Sequence, residues 1–263
     1  MKPDEFITEM LAGDQHRGGI RCQPLFEIAG ETFKTLCREV RQYQSQHRPS
    51  RVNEAHHITH WVDCNGPVAQ YSLLNGSGRS DDFSNDHNLS CRGKWFFDAD
   101  RFPTLGRLIN DWPDPINFRL NLLAPGAALS PHEEHLPFRT RNGATGLRLR
   151  FHLPIETRQG AELLLDGWAY RLEAGIVYLV NQGCVHAAFN HSDENRLHLV
   201  WDSLLTEKVF NFLFAEQPPT PYLILNRQRS QQPLRQQNTG AYRRLPPTLS
   251  VEEAMTATLC DPQ

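Results

Sequence analysis

The stretch from Leu147 to Ile155 decides the fold class of this chain. It reads Leu147-Arg148-Leu149-Arg150-Phe151-His152-Leu153-Pro154-Ile155, so apolar side chains take every second position. Successive side chains of a β-strand point to opposite faces of the sheet. The alternation therefore predicts a strand with one apolar face and one largely polar face.

Further strands are predicted at residues 116–122, 163–165, 168–170, 176–181 and 196–202. In the first of them three polar residues alternate with apolar ones, which predicts a half-buried strand. Asp166-Gly167 separates two short apolar runs and is a strong signal for a two-residue hairpin. Many short strands separated by frequent turns predict a mainly β fold, either a sandwich or a barrel, and the double-sheet jelly roll is one such form.

Two helices are predicted beside the strands. From Ala29 to about Gln46 apolar residues fall at steps of three and four, which indicates an amphipathic helix. A second helix is expected after the last strand, capped by Asp202 or Ser203. We therefore predict an N-terminal helical segment (1–54), a jelly-roll domain (55–215) and a Pro- and Gln-rich tail (216–263) that packs on the core or extends from it.

The composition excludes several classes of partner. The net charge is −3, whereas a nucleic-acid-binding protein would need a basic surface. The longest apolar run has only the length of a strand, which is too short to span a membrane. The first residues contain no apolar run typical of a signal peptide, so a cytoplasmic location is expected. The six cysteines lack the CxxC spacing of structural zinc sites, and free thiols are expected.

The most informative polar pattern is His132-x-Glu134. His186 follows 54 residues after the first histidine, and Arg196 lies ten residues further on. In an extended segment His132 and Glu134 point to the same side, so both can reach one metal ion. Two imidazoles and one carboxylate can hold Fe(II) on one face and leave coordination positions open. Arg196 can then bind a carboxylate in bidentate fashion.

Other interpretations of this pattern stay open at this point. The residues could be surface polar groups in loops, and Arg196 could pair with a carboxylate of the protein itself. A zinc protease motif is disfavoured, because His132 and His135 are three residues apart rather than four and no helical periodicity surrounds them.

Two further strands can contribute polar side chains to the same pocket. Arg196 and His198 share one face of their strand, and Arg150 and His152 repeat the arrangement on another. A loop rich in Gly, Ser, Asp and Asn at residues 75–88 is of the kind that often covers a substrate. Three histidines are interpreted as part of a solvated strand or of the pocket wall, with a second metal site as the alternative: His56, His57 and His60.

Together these residues resemble a known family, the aspartyl/asparaginyl β-hydroxylase-like branch of the Fe(II)/2-oxoglutarate dioxygenases, which includes bacterial free-proline hydroxylases. The resemblance covers roughly residues 116 to 202. Its matching text is Leu123-Ala124-Pro125-Gly126, Pro131-His132-Glu133-Glu134, Arg148-Leu149-Arg150-Phe151-His152-Leu153-Pro154-Ile155, Asn181 with His186, and Asn195-Arg196-Leu197-His198-Leu199-Val200-Trp201-Asp202.

The resemblance implies a double-stranded β-helix, that is, a cupin-like jelly roll with flanking helices. It implies Fe(II), 2-oxoglutarate and O2 as cofactors, with His132 and His186 as iron ligands. It also implies that Arg196 pairs with the distal carboxylate of 2-oxoglutarate and that His152 contacts the same molecule. The chain departs from the family at the third ligand, since small-molecule members usually have Asp where this chain has Glu134.

The function expected from these features is hydroxylation of an unactivated C–H bond in a free or carrier-bound amino acid. Arg150, His57 and His198 are expected to contact this small-molecule substrate, and a homodimer is possible. Within the same chemistry the alternative substrate is an Asp or Asn side chain of a peptide or protein. An alternative of another class is a cupin-like protein that binds a metal or a small acid as a sensor, without turnover.

Overall fold

The computed structural model describes residues 1–49, 51–53, 57–59, 62–65, 67–80, 97–140, 142–226, 231–244 and 249–261. For 51–53, 57–59, 62–65 and 243–244 it describes the backbone alone. The helices are α1 (Pro3–Asp14), α2 (Gly30–Gln46), α3 (Pro103–Asp111), α4 (Glu207–Leu213) and α5 (Val251–Ala254). None of the helices in these ranges has the length and apolar character needed to cross a bilayer.

Strands make up the larger part of the regular structure. Their bounds are β1 (Cys22–Ile28), β2 (Arg51–Asn53), β3 (His57–Thr59), β4 (Val62–Asn65), β5 (Val68–Leu74), β6 (Pro115–Leu123), β7 (Ala128–Glu133), β8 (Pro137–Arg139), β9 (Thr145–Glu156), β10 (Ala161–Leu165), β11 (Trp168–Tyr170), β12 (Ile176–Val180), β13 (His186–Asn190), β14 (Arg196–Leu204), β15 (Leu223–Leu225), β16 (Arg235–Gln236) and β17 (Arg243–Arg244).

These strands form two facing sheets. The large sheet has the order β15-β1-β12-β9-β14-β6-β5-β2, and the small sheet has the order β16-β11-β10-β13-β7-β4-β3. Along the chain β6, β9, β12 and β14 belong to the large sheet, whereas β7, β10, β11 and β13 belong to the small one. The chain thus passes back and forth between two antiparallel sheets, which is the double-stranded β-helix. The predicted jelly-roll fold is confirmed.

The helices cover the outer face of the large sheet. Apolar side chains of α1 to α4 and of the sheet form one buried cluster, which includes Phe6, Met10, Leu36, Val40, Leu105, Ile109, Phe118, Phe151, Leu199, Trp201, Val209 and Phe210. Burying each such side chain contributes about 1.5–3 kcal/mol. A second apolar cluster lies between the two sheets, with members such as Val68, Leu123, Leu165, Tyr178 and Ala188.

Several local predictions can be compared directly with this fold. The predicted helix from Ala29 to Gln46 is confirmed as α2. The hairpin is confirmed as well, because Asp166 and Gly167 have φ values of 46° and 77° and join β10 to β11. Left-handed conformation at both central residues is what a two-residue hairpin turn of type I′ requires.

The predicted cap of the last long helix is wrong. Neither Asp202 nor Ser203 caps α4, because β14 continues to Leu204 and keeps both residues in its hydrogen-bonded ladder. Thr206 is the N-cap instead, and its side-chain oxygen accepts a hydrogen bond from the backbone N–H of Val209 at 3.2 Å.

The two terminal segments are more closely joined to the roll than sequence patterns suggest. Besides α1 and α2, the segment 1–54 contains β1, an unpredicted strand that lies between β15 and β12 in the large sheet. The tail adds β15 to the edge of the large sheet and β16 to the edge of the small sheet, and its β17 pairs with β7. The predicted loop at 75–88 lies outside the described residues beyond residue 80.

Candidate active site

The interior of the roll is lined by polar side chains from β6, β9 and β14. The strand β6 was predicted to be half buried, and this is wrong because Asn117 and Arg119 are only 0% and 4% exposed. They oppose Asp202 and Val200 of β14, so the polar face of β6 lies between the two sheets and not in solvent. Polar residues enclosed in this way need partners of their own.

Two buried histidines face each other across the small sheet. His132 of β7 is the register partner of His186, the first residue of β13, and their ring centroids are 4.1 Å apart. The ladder shifts register between His186 and Ala188, directly beside this pair. The two side chains that the sequence placed 54 residues apart therefore meet at one point.

Both imidazoles are held in the tautomer that suits a metal ligand. Nδ1 of His132 lies 2.8 Å from the Ser130 carbonyl oxygen, and Nδ1 of His186 lies 2.9 Å from that of Cys184. A carbonyl can only accept, so each Nδ1 carries the hydrogen and each Nε2 keeps its lone pair. Burial lowers the pKa of both rings, that of His186 to about 3, which keeps them neutral.

Glu134 completes a group of three possible ligands. The ligand atoms of His132, Glu134 and His186 all lie within 4.8 Å of one another. Arg150 donates to both oxygens of the Glu134 carboxylate at 3.0 Å, and Arg148 donates to Oε2 at 2.9 Å. A carboxylate offers about four lone-pair positions, so these bonds orient it without using all of its capacity. Two imidazoles and a carboxylate fit a divalent transition metal such as Fe(II).

Arg150 links the Glu134 carboxylate to a second carboxylate deeper in the roll. Its Nε donates to Asp202 Oδ1 at 2.8 Å and its Nη2 to Oδ2 at 3.1 Å. Although burial opposes the charge, the two carboxylates raise the pKa of Arg150, and the pKa of Asp202 is held well below its usual range. Arg150 thus donates four hydrogen bonds to the carboxylates of Glu134 and Asp202. Its expected contact with substrate stays a prediction.

Arg196 has a different environment from Arg150. It is 3% exposed, and burial lowers its pKa to about 10, which still leaves it cationic at neutral pH. In the part of the chain that the structure describes, no carboxylate lies within ion-pair distance of this guanidinium. A buried charge of this kind calls for an anion.

His152 and His198 lie next to Arg196 as a neutral pair. Their Nδ1 atoms are 3.4 Å apart, and both side chains are buried. Burial, followed by the positive charge of Arg196, holds the pKa of each ring well below its usual range. Among the described residues, three buried polar atoms nearby have no hydrogen-bond partner: Nε2 of His198, Oδ1 of Asn121 and Oε1 of Gln70. Asn121 pairs with both His198 and Gln70 in the sheet register.

The remaining predicted contact is His57. It lies in β3, where the structure describes the backbone alone, so its role stays a prediction. The neighbouring His56 and His60 lie outside the described residues. Local sequence patterns do not identify five further polar residues of the interior as site residues: Asp202, Asn117, Arg119, Asn121 and Gln70. The polar side of the alternating pattern in β6 was visible, but nothing in the sequence indicated that this side faces the interior.

The fold and this site define a class of protein: a double-stranded β-helix with two histidines and a carboxylate grouped inside it. Residues 87–204 match the family model described as Aspartyl/Asparaginyl beta-hydroxylase. The matched part of the chain runs through β6 to β14 and contains His132, Glu134, His186 and Arg196. The resemblance found in the sequence is confirmed.

The chain is also similar to several solved structures. A prolyl-4-hydroxylase from Pseudomonas putida has 14% identity over 77% of this chain and 98% of its own, with a TM-score of 0.38. The viral collagen prolyl hydroxylase of Paramecium Bursaria Chlorella virus-1, solved as a 2OG complex, has 8% identity over 70% of this chain and 96% of its own, with a TM-score of 0.41. A comparison with curated proteins gives no match.

Proposed function

We propose that this chain is an Fe(II)- and 2-oxoglutarate-dependent oxygenase. The observation that carries the proposal is the pair of buried histidines, His132 and His186, each with Nδ1 bound to a carbonyl and Nε2 left for a ligand. Glu134 stands beside them, and the family match of residues 87–204 supports the same assignment.

In this proposal His132, Glu134 and His186 hold the iron. Iron(II), together with 2-oxoglutarate and O2, supplies the oxidation of an unactivated C–H bond. The backbone carbonyls behind the two imidazoles fix their orientation, and Arg150 and Arg148 fix that of the carboxylate. Outer partners of this kind contribute to both metal affinity and geometry.

Arg196 is proposed to bind the distal carboxylate of 2-oxoglutarate. Its support is a buried charge that lacks a carboxylate partner among the described residues. His152, proposed to contact the same molecule, stands beside it as a neutral imidazole. Apolar residues that lie between the sheets, such as Val68, Leu123 and Tyr178, would keep water from this end of the interior.

The proposed substrate is a free or carrier-bound amino acid, with Arg150, His198 and His57 as its proposed contacts. The side chain of Arg148 remains partly exposed while it holds Glu134, so it marks the side of the site that solvent reaches. An Asp or Asn side chain of a peptide is the second candidate within this chemistry. A homodimer and a cytoplasmic location stay predictions.

The proposal is tested by turnover of the purified chain. The protein is loaded with Fe(II) without oxygen, then given 2-oxoglutarate, O2 and a panel of free amino acids and Asp- or Asn-containing peptides, and succinate is measured. We expect succinate formation that rises with one class of substrate and disappears in His132→Ala. A matched control is His191→Ala, an exposed histidine after the far end of β13, which should retain turnover.

The binding-protein alternative makes a different prediction for the same samples. Such a protein would bind a divalent metal and 2-oxoglutarate but form no succinate with any member of the panel. Absence of metal binding in the wild-type chain would contradict both functions.

A further inference from the structure

The turn that follows α1 lies directly behind the proposed metal ligands. His16 in this turn has a φ of 56°, a left-handed conformation that few residues other than glycine adopt. Its Nε2 lies 3.0 Å from Oε2 of Glu133, and its Nδ1 lies 3.1 Å from Oδ1 of Asp166. One partly exposed imidazole therefore contacts two carboxylates of the small sheet, that of Glu133 in β7 and that of Asp166 in the turn between β10 and β11.

Glu133 connects His16 to the first ligand-bearing segment. It stands between His132 and Glu134 in the chain and is 1% exposed. Because neighbouring residues of a strand point to opposite faces, its carboxylate lies on the side away from the metal ligands. A contact that holds the Glu133 side chain consequently holds the short backbone segment that presents both His132 and Glu134.

Asp166 connects His16 to the second ligand-bearing segment. Its Oδ1 also accepts a hydrogen bond from the backbone N–H of Val185 at 3.0 Å, and its own N–H donates to the Val185 carbonyl at 2.8 Å. Val185 immediately precedes His186. Asp166 thereby fixes the backbone at the point where β13 begins with its metal ligand.

Other contacts dock α1 and the chain after it on residues that lie close in sequence to these two segments. Asp14 Oδ1 accepts from the Leu136 N–H at 3.2 Å, just past Glu134. Asn181 Nδ2 donates to the carbonyl oxygens of Met10 and Ile20, each at 2.9 Å. The approach is close, since a Cβ added to Gly183 would lie 2.7 Å from Cβ of Asp14. The His16 turn is therefore held in place by several groups on either side.

We infer that His16 is a positioning residue of the metal site. It bridges Glu133 and Asp166 and so holds the segment of His132 and Glu134 at a fixed spacing from the segment of His186. Each ring nitrogen of His16 faces a carboxylate oxygen, so a hydrogen carried by either nitrogen can be donated to the carboxylate that it faces. The inference rests on the proposed function only in that the three ligands hold a metal ion.

The inference is tested by metal affinity in the absence of 2-oxoglutarate. Co(II) or Ni(II) is titrated into the metal-free chain by calorimetry, and the absorption spectrum of bound Co(II) reports the ligand geometry. Because loss of an outer partner typically weakens metal binding about 10–100-fold, we expect His16→Ala to bind Co(II) roughly tenfold more weakly and with an altered spectrum. His191→Ala is the matched control and should bind as the wild type does.

Two conservative variants separate positioning from a general loss of structure. His16→Asn tolerates the left-handed backbone and keeps one donor group, so we expect partial recovery of affinity and of the Co(II) spectrum. Glu133→Gln keeps the size of the buried side chain. In the double variant its loss of metal affinity should not add to that of His16→Ala, because both changes break the same contact. If circular dichroism shows that His16→Ala does not fold, these two variants provide the test in its place.

The outcomes distinguish this inference from the proposed function. A wild-type chain that binds no divalent metal removes the proposed function, and this inference with it. If the wild type binds metal, His132→Ala does not, and the His16 and Glu133 variants bind within about twofold of the wild type, then His16 has no positioning role and the proposed function stands.

Discussion

Two buried arginines on the inner face of the large sheet have opposite surroundings. Arg150 is 6% exposed and Arg196 is 3% exposed, so burial alone does not distinguish them. The pKa of Arg150 is raised because Asp202 and Glu134 surround it, whereas burial lowers the pKa of Arg196 to about 10. The protein supplies two carboxylates to one guanidinium, and among the described residues it supplies none to the other.

The difference is that between a structural charge and the binding charge proposed for Arg196. Arg150 ties Asp202, which is 0% exposed, to the carboxylate beside the two histidines, so its removal leaves this buried anion with only the longer ion-pair contact to Arg119 Nη1 at 3.9 Å. Arg196 carries an unfavourable desolvation in the chain by itself, and an incoming carboxylate would offset it. The same residue type on neighbouring strands thus has two different surroundings, and the role proposed for each can be tested by substitution.

The largest effect is expected for Arg150→Met. Removing one partner of a buried ion pair costs about 3–5 kcal/mol, so the free energy of unfolding should fall by that amount in urea titrations. Arg158→Met is a suitable control, because Arg158 pairs with Glu194 on the exposed surface and should matter little. Equal losses in the two variants would contradict a structural role for Arg150.

A smaller effect of the opposite sign is expected for Arg196→Met. Without 2-oxoglutarate, this variant should gain roughly 1–3 kcal/mol in the free energy of unfolding, because an apolar side chain replaces a buried charge. The same variant should lose about 2–5 kcal/mol of 2-oxoglutarate affinity, measured by calorimetry with Ni(II) in place of iron. Arg196→Lys keeps the charge but not the bidentate geometry, so its 2-oxoglutarate affinity should lie between that of the wild type and that of Arg196→Met.

A stability loss in Arg196→Met would contradict the comparison, since it would mean that the chain itself provides a partner for this charge. Unchanged 2-oxoglutarate affinity would show that Arg196 does not bind the co-substrate.

The smallest effect concerns the pH dependence set by the histidines near Arg196. His152 and His198 have a pKa well below the value of about 6.5 that they have when unfolded. Between that value and the lower folded pKa the unfolded chain binds more protons, so the free energy of unfolding falls as pH falls. His198→Asn removes one of these two imidazoles. The free energy of unfolding should then fall less steeply as pH falls, by at most about 1.4 kcal/mol per pH unit.

This prediction is measured by urea unfolding at a series of pH values from about 7.5 down to about 5. Above the unfolded pKa the wild type and His198→Asn should show the same slope, which provides an internal control. An identical slope below it would mean that His198 takes up its proton in the folded protein.

Much of the candidate site could be predicted from local sequence. The alternation in β9 and β14 placed Arg150 with His152, and Arg196 with His198, on common faces, because strand periodicity is a local property. The pattern of His132, His186 and Arg196 along the sequence predicted that the two histidines lie together, and they are register partners in the structure. The partners of these residues could not be predicted, because Asp202 and Arg150 meet only through the pairing of β9 with β14.

The alternation from Leu147 to Ile155 and the hairpin at Asp166-Gly167 thus followed from the sequence by itself, since side-chain direction and turn geometry depend on neighbouring residues. The tertiary structure decided which face of each strand is enclosed and which charges meet there. His16 lies 117 residues from Glu133 and 150 from Asp166, and their contact exists only because the roll brings β7, β10 and the end of α1 together. Contacts over such separations depend on the path of the whole chain, which local periodicity does not encode.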